Sequence, residues 1–150
     1  MNYDFEDFKS FRIVFLDVKG VEVKQSVSSN SVGENSVRND EEIKVVEELY
    51  RLLINRDIEN REIKILSPYR SQVSAIRRSN ANANVSTVVT SQGGEWNFVI
   101  LSTVRTLAKH DINPKPTIGW RKKHLGFLID EHQINVAITR AKRGLFLIGD

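Results

Sequence analysis

Residues 133–150, QINVAITRAKRGLFLIGD, decide the fold class of the chain. Four apolar residues in this stretch recur at the spacing of one helix face: Ile134, Ala137, Ile138 and Ala141. We expect Gly144 to end the helix, and the unbroken apolar run at 145–148 predicts a strand buried on both faces. Arg140 lies outside the stripe, at the expected C-terminal end of the helix. A helix followed by a buried strand, with cations at the junction, indicates a phosphate-facing edge of an α/β sheet.

Short apolar segments alternate with helical ones along most of the remaining chain. The pattern predicts strands at 12–18, 62–66, 85–89, 97–103 and 145–149. Helices are predicted at 39–55 and 69–78, with buried positions at Ile43, Val46, Leu49, Tyr50, Leu53, Val73 and Ile76. This alternation favours an α/β fold with a mostly parallel, doubly wound sheet flanked by helices over a β-sandwich.

Two segments near the N-terminus fall outside this pattern. Residues 1–10 have no clear period and are interpreted as a linker or as a fragment of a preceding segment, so the domain is assigned to 11–150. Residues 25–38 are rich in Ser, Asn and Gly, which predicts a mobile loop. The first helix is expected to begin after Asn39 as its N-cap, with Glu42 completing a capping box.

The composition limits the class of protein. A chain of 150 residues with 40% apolar residues suits one domain with a single core. The absence of cysteine excludes a disulfide framework and a thiolate metal site, and the three histidines lack metal-ligand spacing. No apolar run approaches the roughly 18 residues that a membrane span needs. We therefore expect an intracellular protein, cytoplasmic or nuclear, without a membrane partner.

Positive charge is concentrated in one part of a chain whose net charge is only +3. Residues 105–123 contain one acid, Asp111, against six bases: Arg105, Lys109, Lys115, Arg121, Lys122 and Lys123. Most of these bases fall in the segment 106–132, which is predicted to be a loop excursion from the core. Trp120 beside the bases at 121–123 suits single-stranded nucleic acid, by phosphate attraction and stacking. The alternative is a solvated loop anchored by Trp120.

Residues 67–72, SPYRSQ, follow a predicted strand and open a helix. Ligands bind at the edge of an open α/β sheet where strands end in this way. The amides of the first helical turn, with Ser67 and Gln72, can donate to a phosphate, and Tyr69 can stack on a base or ribose. An ordinary Ser-Pro-Tyr turn is the alternative.

Residues 91–105, SQGGEWNFVILSTVR, contain a second candidate site. Two adjacent glycines allow backbone amides to approach an anion closely. Glu95 offers an acceptor for a ribose hydroxyl or for a neighbouring arginine. The alternative is a Gly-Gly hairpin turn between residues 89 and 98.

Arg140 has two interpretations. Its planar, permanently charged guanidinium can bridge two oxygens of a γ-phosphate, which lysine cannot copy. The alternative is a helix-end cation that satisfies the last carbonyls of the helix, worth less than about 1 kcal/mol.

Three motifs, in order along the chain, resemble those of UPF-like superfamily 1B helicases. Residues 67–72 resemble T-P-Y-x-x-Q, residues 92–105 resemble Q-G-x-E followed by I-L-S-x-V-R, and residues 135–142 fit N-V-A-[IL]-T-R-A-[KR] without a gap. The sequence of 91–105 and the long excursion place the nearest resemblance with the zinc-finger-containing helicase subgroup, of the exoribonuclease-bearing type. Val89 and Ser91 depart from the pattern, where an aspartate and an aromatic residue are common.

The resemblance implies roles for individual residues. Arg140 would be an arginine finger that reaches ATP bound against a preceding domain. Gln92, Gly93, Glu95 and Lys142 would lie near the nucleotide. Nine residues are expected to contact nucleic acid, the first six from the resemblance and the last three from the basic cluster: Ser67, Tyr69, Gln72, Thr87, Ser102, Arg105, Arg121, Lys122 and Lys123.

The family holds ATP and Mg²⁺ mainly with a G-x-x-x-x-G-K-[ST] loop and a D-E-A-x strand in a first RecA-like domain, and neither occurs in this sequence. The resemblance therefore implies the second, C-terminal RecA-like domain of a P-loop NTPase type helicase, without Walker A or B elements and inactive alone. The whole enzyme would use ATP to move 5′ to 3′ on RNA or single-stranded DNA. Two alternatives stay open: a nucleic-acid-binding module without a motor, and a degenerate scaffold that recruits proteins.

Overall fold

The computed structural model describes residues 12–25, 36–107 and 109–150, so the interpretation of residues 1–10 lies outside the described residues. The strands are β1 (Arg12–Asp17), β2 (Glu22–Gln25), β3 (Ser36–Asn39), β4 (Ile63–Ser67), β5 (Val85–Thr87), β6 (Trp96–Ser102) and β7 (Ala141–Gly149). The helices are α1 (Asp40–Ile54), α2 (Arg70–Ser79), α3 (Ile118–Leu125) and α4 (Glu131–Ile138). The five predicted strands and the helices predicted at 39–55 and 69–78 are present, with ends shifted by a few residues.

The main sheet has five strands in the order β1-β7-β6-β4-β5, and every neighbouring pair is parallel. The central strands are apolar on both faces because helices and turns cover both sides. Ile100 of β6 lies between Ile65 of β4 and Phe146 of β7. The predicted α/β class with a mostly parallel sheet is confirmed.

Two apolar layers hold the sheet between its helices. On one side α1 and α2 pack on alternate strand residues, and the buried positions predicted for both helices lie in this layer. On the other side α4, the turn Gly126–Ile129 and residue Val88 cover the opposite set of strand residues. The parallel arrangement sends all carboxyl ends of the five strands to one edge and all amino ends to the other.

The predicted end of the last helix is wrong. α4 ends at Ile138, and Gly144 lies inside β7 opposite Phe98. Ala141 belongs to the strand, where it pairs with Trp96, and Ile138 is 39% exposed rather than buried. The helix ends early because pairing between β6 and β7 begins here. The amide of Trp96 donates to the carbonyl of Arg140 at 2.9 Å.

The predicted mobile loop at 25–38 is also wrong where the structure describes it. β2 and β3 form an antiparallel pair that includes Ser36 and Arg38, while residues 26–35 lie outside the described residues. Asn39 is the predicted N-cap, and its side chain accepts from the amides of Glu41 and Glu42. The capping box is not formed, because the Glu42 carboxylate accepts from Ser102 and Val104 instead.

The segment 106–132 is not a continuous loop. It contains α3, short turns at Lys109–Asp111 and Gly126–Ile129, and the start of α4. Among the described residues, no helix combines the length and the apolar character that crossing a bilayer requires.

Candidate functional site

Arg140 lies at the amino edge of the sheet, between the end of α4 and the start of β7. Its Nε donates to the carbonyl of Val136 at 3.0 Å, and its Nη1 donates to the carbonyl of Gly94 at 3.1 Å. The side chain is half-buried rather than enclosed. Two backbone carbonyls from different segments therefore fix the guanidinium at the rim, and its other N–H groups have no partner among the described residues.

The residues predicted to lie near the nucleotide surround this arginine. Lys142 and Glu95 form an ion pair at 3.2 Å, with both side chains more than half exposed. Gln92 and Gly93 are exposed, and Gly93 has a positive φ of 86°. The structure thus brings these four predicted residues and Arg140 to one edge of the sheet.

Gly94 leaves room for Trp96 at this rim. A Cβ at position 94 would lie 2.2 Å from the Trp96 ring, so only glycine allows the indole to pack there. The ammonium of Lys64 lies over the same ring, 5.0 Å from its centroid. The turn is therefore set by packing as well as by backbone freedom.

The residues predicted to contact nucleic acid lie at the opposite, carboxyl edge. β6 runs from Trp96 to Ser102, so the two edges are about 20 Å apart at the usual strand rise. The two predicted sites consequently share no side chain, and the sheet separates them.

Three of the predicted nucleic-acid residues are fully buried. Ser67, Gln72 and Ser102 are each 0% exposed. Gln72 Nε2 donates to Ser102 Oγ at 2.9 Å, while Gln72 Oε1 accepts from the amide of Asn39. Ser67 Oγ accepts from the amide of Tyr69 at 3.4 Å. These side chains have no surface to offer to a ligand in this structure, so we assign them a supporting role instead of direct contact.

Tyr69 and Arg105 are also committed within the domain. The Tyr69 hydroxyl is buried against Gly126, where a Cβ would approach it to 2.6 Å, and burial raises the pKa of the phenol. Arg105 pairs with Glu22 at 3.0 Å, and its Nε donates to the carbonyl of His124 at 3.1 Å. The hydroxyl of Tyr69 therefore faces the interior while the residue as a whole is half-buried, and stacking of its ring on a base stays a prediction.

The exposed part of the carboxyl edge is basic. Arg121, Lys122 and Lys123 are exposed on α3, and the ring of Trp120 stacks on that of His124 at 4.6 Å. Thr87 is half-buried at the end of β5, where its hydroxyl lies 3.0 Å from that of Thr90. These residues are the ones that a polyanion at this edge can reach.

Glu42 has a buried carboxyl group at this edge that the sequence motifs do not predict. It is 0% exposed, and its Oε2 accepts from Ser102 Oγ at 2.5 Å and from the amide of Val104 at 3.0 Å. Burial raises the pKa of Glu42 to about 7, although those two donors oppose the shift. The sequence does place Glu42 on the apolar face of the predicted helix, which indicates a buried carboxyl. The capping-box interpretation explained the same residue in a different way.

Metal ligands are not assembled at either edge. Among the residues that the structure describes, no group of three or more His, Cys, Asp or Glu side chains is placed to hold an ion. The amino edge instead offers cations and backbone amides, which fit phosphate oxygens rather than Mg²⁺.

Comparison with known proteins identifies the family. A family model described as an AAA domain matches residues 2–150. The human 3'-5' exoribonuclease HELZ2 is 45% identical over 148 residues, and its mouse counterpart is 42% identical over 147 residues. The ATP-dependent helicase MJ0104 of Methanocaldococcus jannaschii is 34% identical over 142 residues. The chain belongs to the UPF-like superfamily 1 helicases.

The match covers nearly all of this helicase domain but little of its relatives. The alignments span 95% and 94% of the chain for the human and mouse proteins, yet only 5% of each of those proteins. For the archaeal helicase they span 92% of the chain and 18% of the relative. The predicted C-terminal RecA-like identity is confirmed, and the exoribonuclease relatives agree with the predicted subgroup.

Proposed function

We propose that this helicase domain is the second motor domain of an ATP-dependent helicase and that Arg140 is its arginine finger. The observation that carries the proposal is the placement of the Arg140 guanidinium, which two carbonyls hold at an accessible rim beside Glu95 and Lys142. A preceding RecA-like domain of the same protein would bring ATP to this rim.

The proposed chemistry is stabilisation of charge during phosphoryl transfer. A permanently charged guanidinium, fixed before the reaction, needs no reorganisation when negative charge develops on the phosphoryl oxygens. The hydrogen bonds from Nε and Nη1 orient the group, and the remaining N–H groups would donate to an incoming phosphate. Gln92, Gly93, Glu95 and Lys142 would add contacts to the nucleotide, while Mg²⁺ would be held mainly by the preceding domain.

The nucleic-acid strand would lie along the opposite edge of the sheet. Arg121, Lys122 and Lys123 on α3 supply phosphate contacts there, and Thr87 supplies a hydroxyl at the end of β5. The separation of about 20 Å lets ATP and nucleic acid bind at the same time, because they use different strand ends. Closing and reopening of the cleft with the preceding domain would move the strand, 5′ to 3′, past this edge.

The test uses a protein that contains both this helicase domain and its preceding RecA-like domain. ATP hydrolysis is measured with and without RNA or single-stranded DNA, and strand separation is measured on duplexes with a 5′ or a 3′ overhang. We expect stimulated hydrolysis and separation that requires the 5′ overhang. Nucleic-acid binding without ATP hydrolysis would contradict the motor role and favour a binding module. The absence of nucleic-acid binding at low and moderate salt would favour a protein scaffold.

A further inference from the structure

The attachment of α3 to the domain needs an explanation. α3 has eight residues and none of them is buried, although it carries the exposed Arg121, Lys122 and Lys123. A helix this short is marginal in water unless other groups hold it. Thr117 caps its first turn by accepting from the amide of Trp120. Trp120, His124 and Leu125 are no more than half-buried, so we look for a further contact at the other end of α3.

Arg105 supplies that partner. Its Nη2 donates to the carbonyl of Lys123 at 2.5 Å, and its Nε donates to the carbonyl of His124 at 3.1 Å. These carbonyls are among the last of α3, where a cation is favourable because the helix dipole is negative. Arg105 therefore clamps the C-terminal end of α3.

Glu22 holds the other side of the same guanidinium. Its Oε2 accepts from Arg105 Nη1 at 3.0 Å, and its Oε1 accepts from the amide of Thr106 at 3.0 Å. The two side chains are only 15% and 17% exposed, so water screens this pair less than the exposed pairs elsewhere. The pairing ties β2 to the loop that follows β6.

The backbone just before Arg105 is held in an unfavourable conformation. Val104 has a φ of 71°, which is rare for a β-branched residue. The Glu42 carboxylate accepts from the Val104 amide at 3.0 Å, and Asn39 Nδ2 donates to the Val104 carbonyl at 3.4 Å. Residues at the N-terminal end of α1 thus hydrogen-bond to both the amide and the carbonyl of Val104. We infer that this conformation directs Arg105 toward α3.

We propose that Arg105 is a positioning residue, which Glu22 and the Glu42-held Val104 aim at the C-terminal end of α3 so that the basic side chains of α3 face nucleic acid. The proposal rests on the nucleic-acid role proposed above for α3, which it deepens. It connects the buried side chains of the resemblance motifs to an exposed surface. Gln72 donates to Ser102, and Ser102 donates to Glu42, so these residues support the clamp rather than the ligand.

The competing explanation is direct contact between Arg105 and a phosphate. The two explanations give opposite signs for Glu22→Gln. If Arg105 contacts phosphate, loss of the neighbouring carboxylate frees the guanidinium and removes a repulsive charge, so affinity for a single-stranded oligonucleotide rises. If Arg105 clamps α3, the same change loosens the clamp and affinity falls.

The experiment uses the full 150-residue chain and a fluorescent single-stranded oligonucleotide. We expect Glu22→Gln to weaken binding about threefold to tenfold and to raise amide hydrogen exchange about tenfold in α3 but not in α2. Glu59→Gln is the matched control, because Glu59 pairs with Arg61 at 2.6 Å on another part of the surface. Tighter binding by Glu22→Gln, or unchanged exchange in α3, would overturn the clamp.

Glu42 is tested by a pair of variants. Glu42→Gln keeps an acceptor for Val104 and is expected to leave exchange in α3 near the parent value, whereas Glu42→Leu removes the acceptor and should raise it. Combining Glu42→Leu with Arg105→Ala should add little to the loss of affinity from Arg105→Ala alone. Fully additive losses would contradict action through Arg105.

Different experiments test the clamp and the proposed nucleic-acid role of α3, so either one can be refuted without the other. The triple substitution of Arg121, Lys122 and Lys123 by Ala removes the charges without touching Arg105 or Glu22. Unchanged affinity in that variant would contradict the role of α3 in binding. The exchange of α3 amides in Glu22→Gln would still decide the clamp, since that measurement needs no ligand.

Discussion

The guanidinium of Arg140 and the carbonyl oxygen of Gly94 are joined by a hydrogen bond of 3.1 Å. This contact connects two segments that are 46 residues apart in sequence and that begin neighbouring strands, β7 and β6. It places the guanidinium at the same rim as the Glu95–Lys142 pair. The rim therefore depends on the shape of the glycine turn as well as on the arginine.

Gly94→Ala is predicted to disturb the rim through Trp96. The added Cβ would lie 2.2 Å from the ring, so the indole must move, and overpacking of this kind costs about 1–3 kcal/mol. Thermal or urea denaturation measures the change. Gly119→Ala on α3 is the control, since a Cβ there meets nothing within 4 Å and alanine favours helix. Equal stability of the two variants would contradict the packing role of Gly94.

Lys142→Ala is predicted to change stability very little. Both members of the Glu95–Lys142 pair are more than half exposed, and such pairs contribute roughly 0–1 kcal/mol. Its effect should instead appear as weaker nucleotide binding in the protein that carries both RecA-like domains. A loss of stability above about 2 kcal/mol with unchanged nucleotide affinity would assign Lys142 to the fold alone.

Replacing Arg121, Lys122 and Lys123 by Ala is predicted to flatten the salt dependence of oligonucleotide binding. Each lost phosphate contact lowers the slope of log K against log salt by about 0.7 on single strands, so three contacts lower it by about 2. Fluorescence anisotropy over a range of salt concentrations gives the slope. Arg61→Ala, an exposed cation far from α3, should leave it unchanged. An unaltered slope in the triple variant would exclude α3 from the phosphate track.

Glu42 is predicted to make stability fall as pH rises. Burial raises the folded-state pKa of Glu42 from 4.5 to about 7, with a smaller contribution from Asp150, so the native state binds the proton more tightly than the unfolded chain. The stability that the protonated Glu42 contributes is complete below about pH 4 and is lost as pH rises toward 7. It amounts to about 3 kcal/mol, at 1.36 kcal/mol for each pKa unit.

Urea denaturation at several pH values compares the parent chain with Glu42→Gln. The neutral amide should abolish this part of the pH dependence, and the variant should be at least as stable as the parent at pH 8 because no charge is buried. The same decline with pH in both proteins would show that another group causes it.

The five strands of the main sheet were predictable because most of their residues are apolar and many are β-branched. Residues 63–67 are buried along the whole of β4, whereas β1 at the sheet edge buries Leu16 and leaves Ile13 and Phe15 exposed. The end of α4 was not predictable from local sequence, since the apolar period continues to Ala141 while the pairing of that residue with Trp96 is a tertiary contact. β2 and β3 were missed for the same reason, because each strand is defined by pairing with the other across residues 26–35.

The resemblance predicted that Gln92, Gly93 and Glu95 lie near the same ligand as Arg140, and their segments meet in the structure because they precede adjacent parallel strands. The roles of the residues at the carboxyl edge were harder to predict from the sequence. Polar residues such as Gln72 and Ser102 have the chemistry of ligand contacts, but the fold buries them and uses their hydrogen bonds to place Glu42. Burial on the inner side of a helix cannot be distinguished from a surface role by residue type alone.

The most direct test of the arginine finger is the rate of ATP turnover by Arg140→Ala in the protein that carries both RecA-like domains, at saturating ATP and nucleic acid. We predict a decrease in kcat of about a thousandfold or more, in line with the loss of an arginine finger, with oligonucleotide affinity within about twofold of the parent. Arg140→Lys should recover little of the rate, because an ammonium cannot reproduce the planar set of donors. Hydrolysis by Arg140→Ala at the parent rate would contradict the proposed role of this residue.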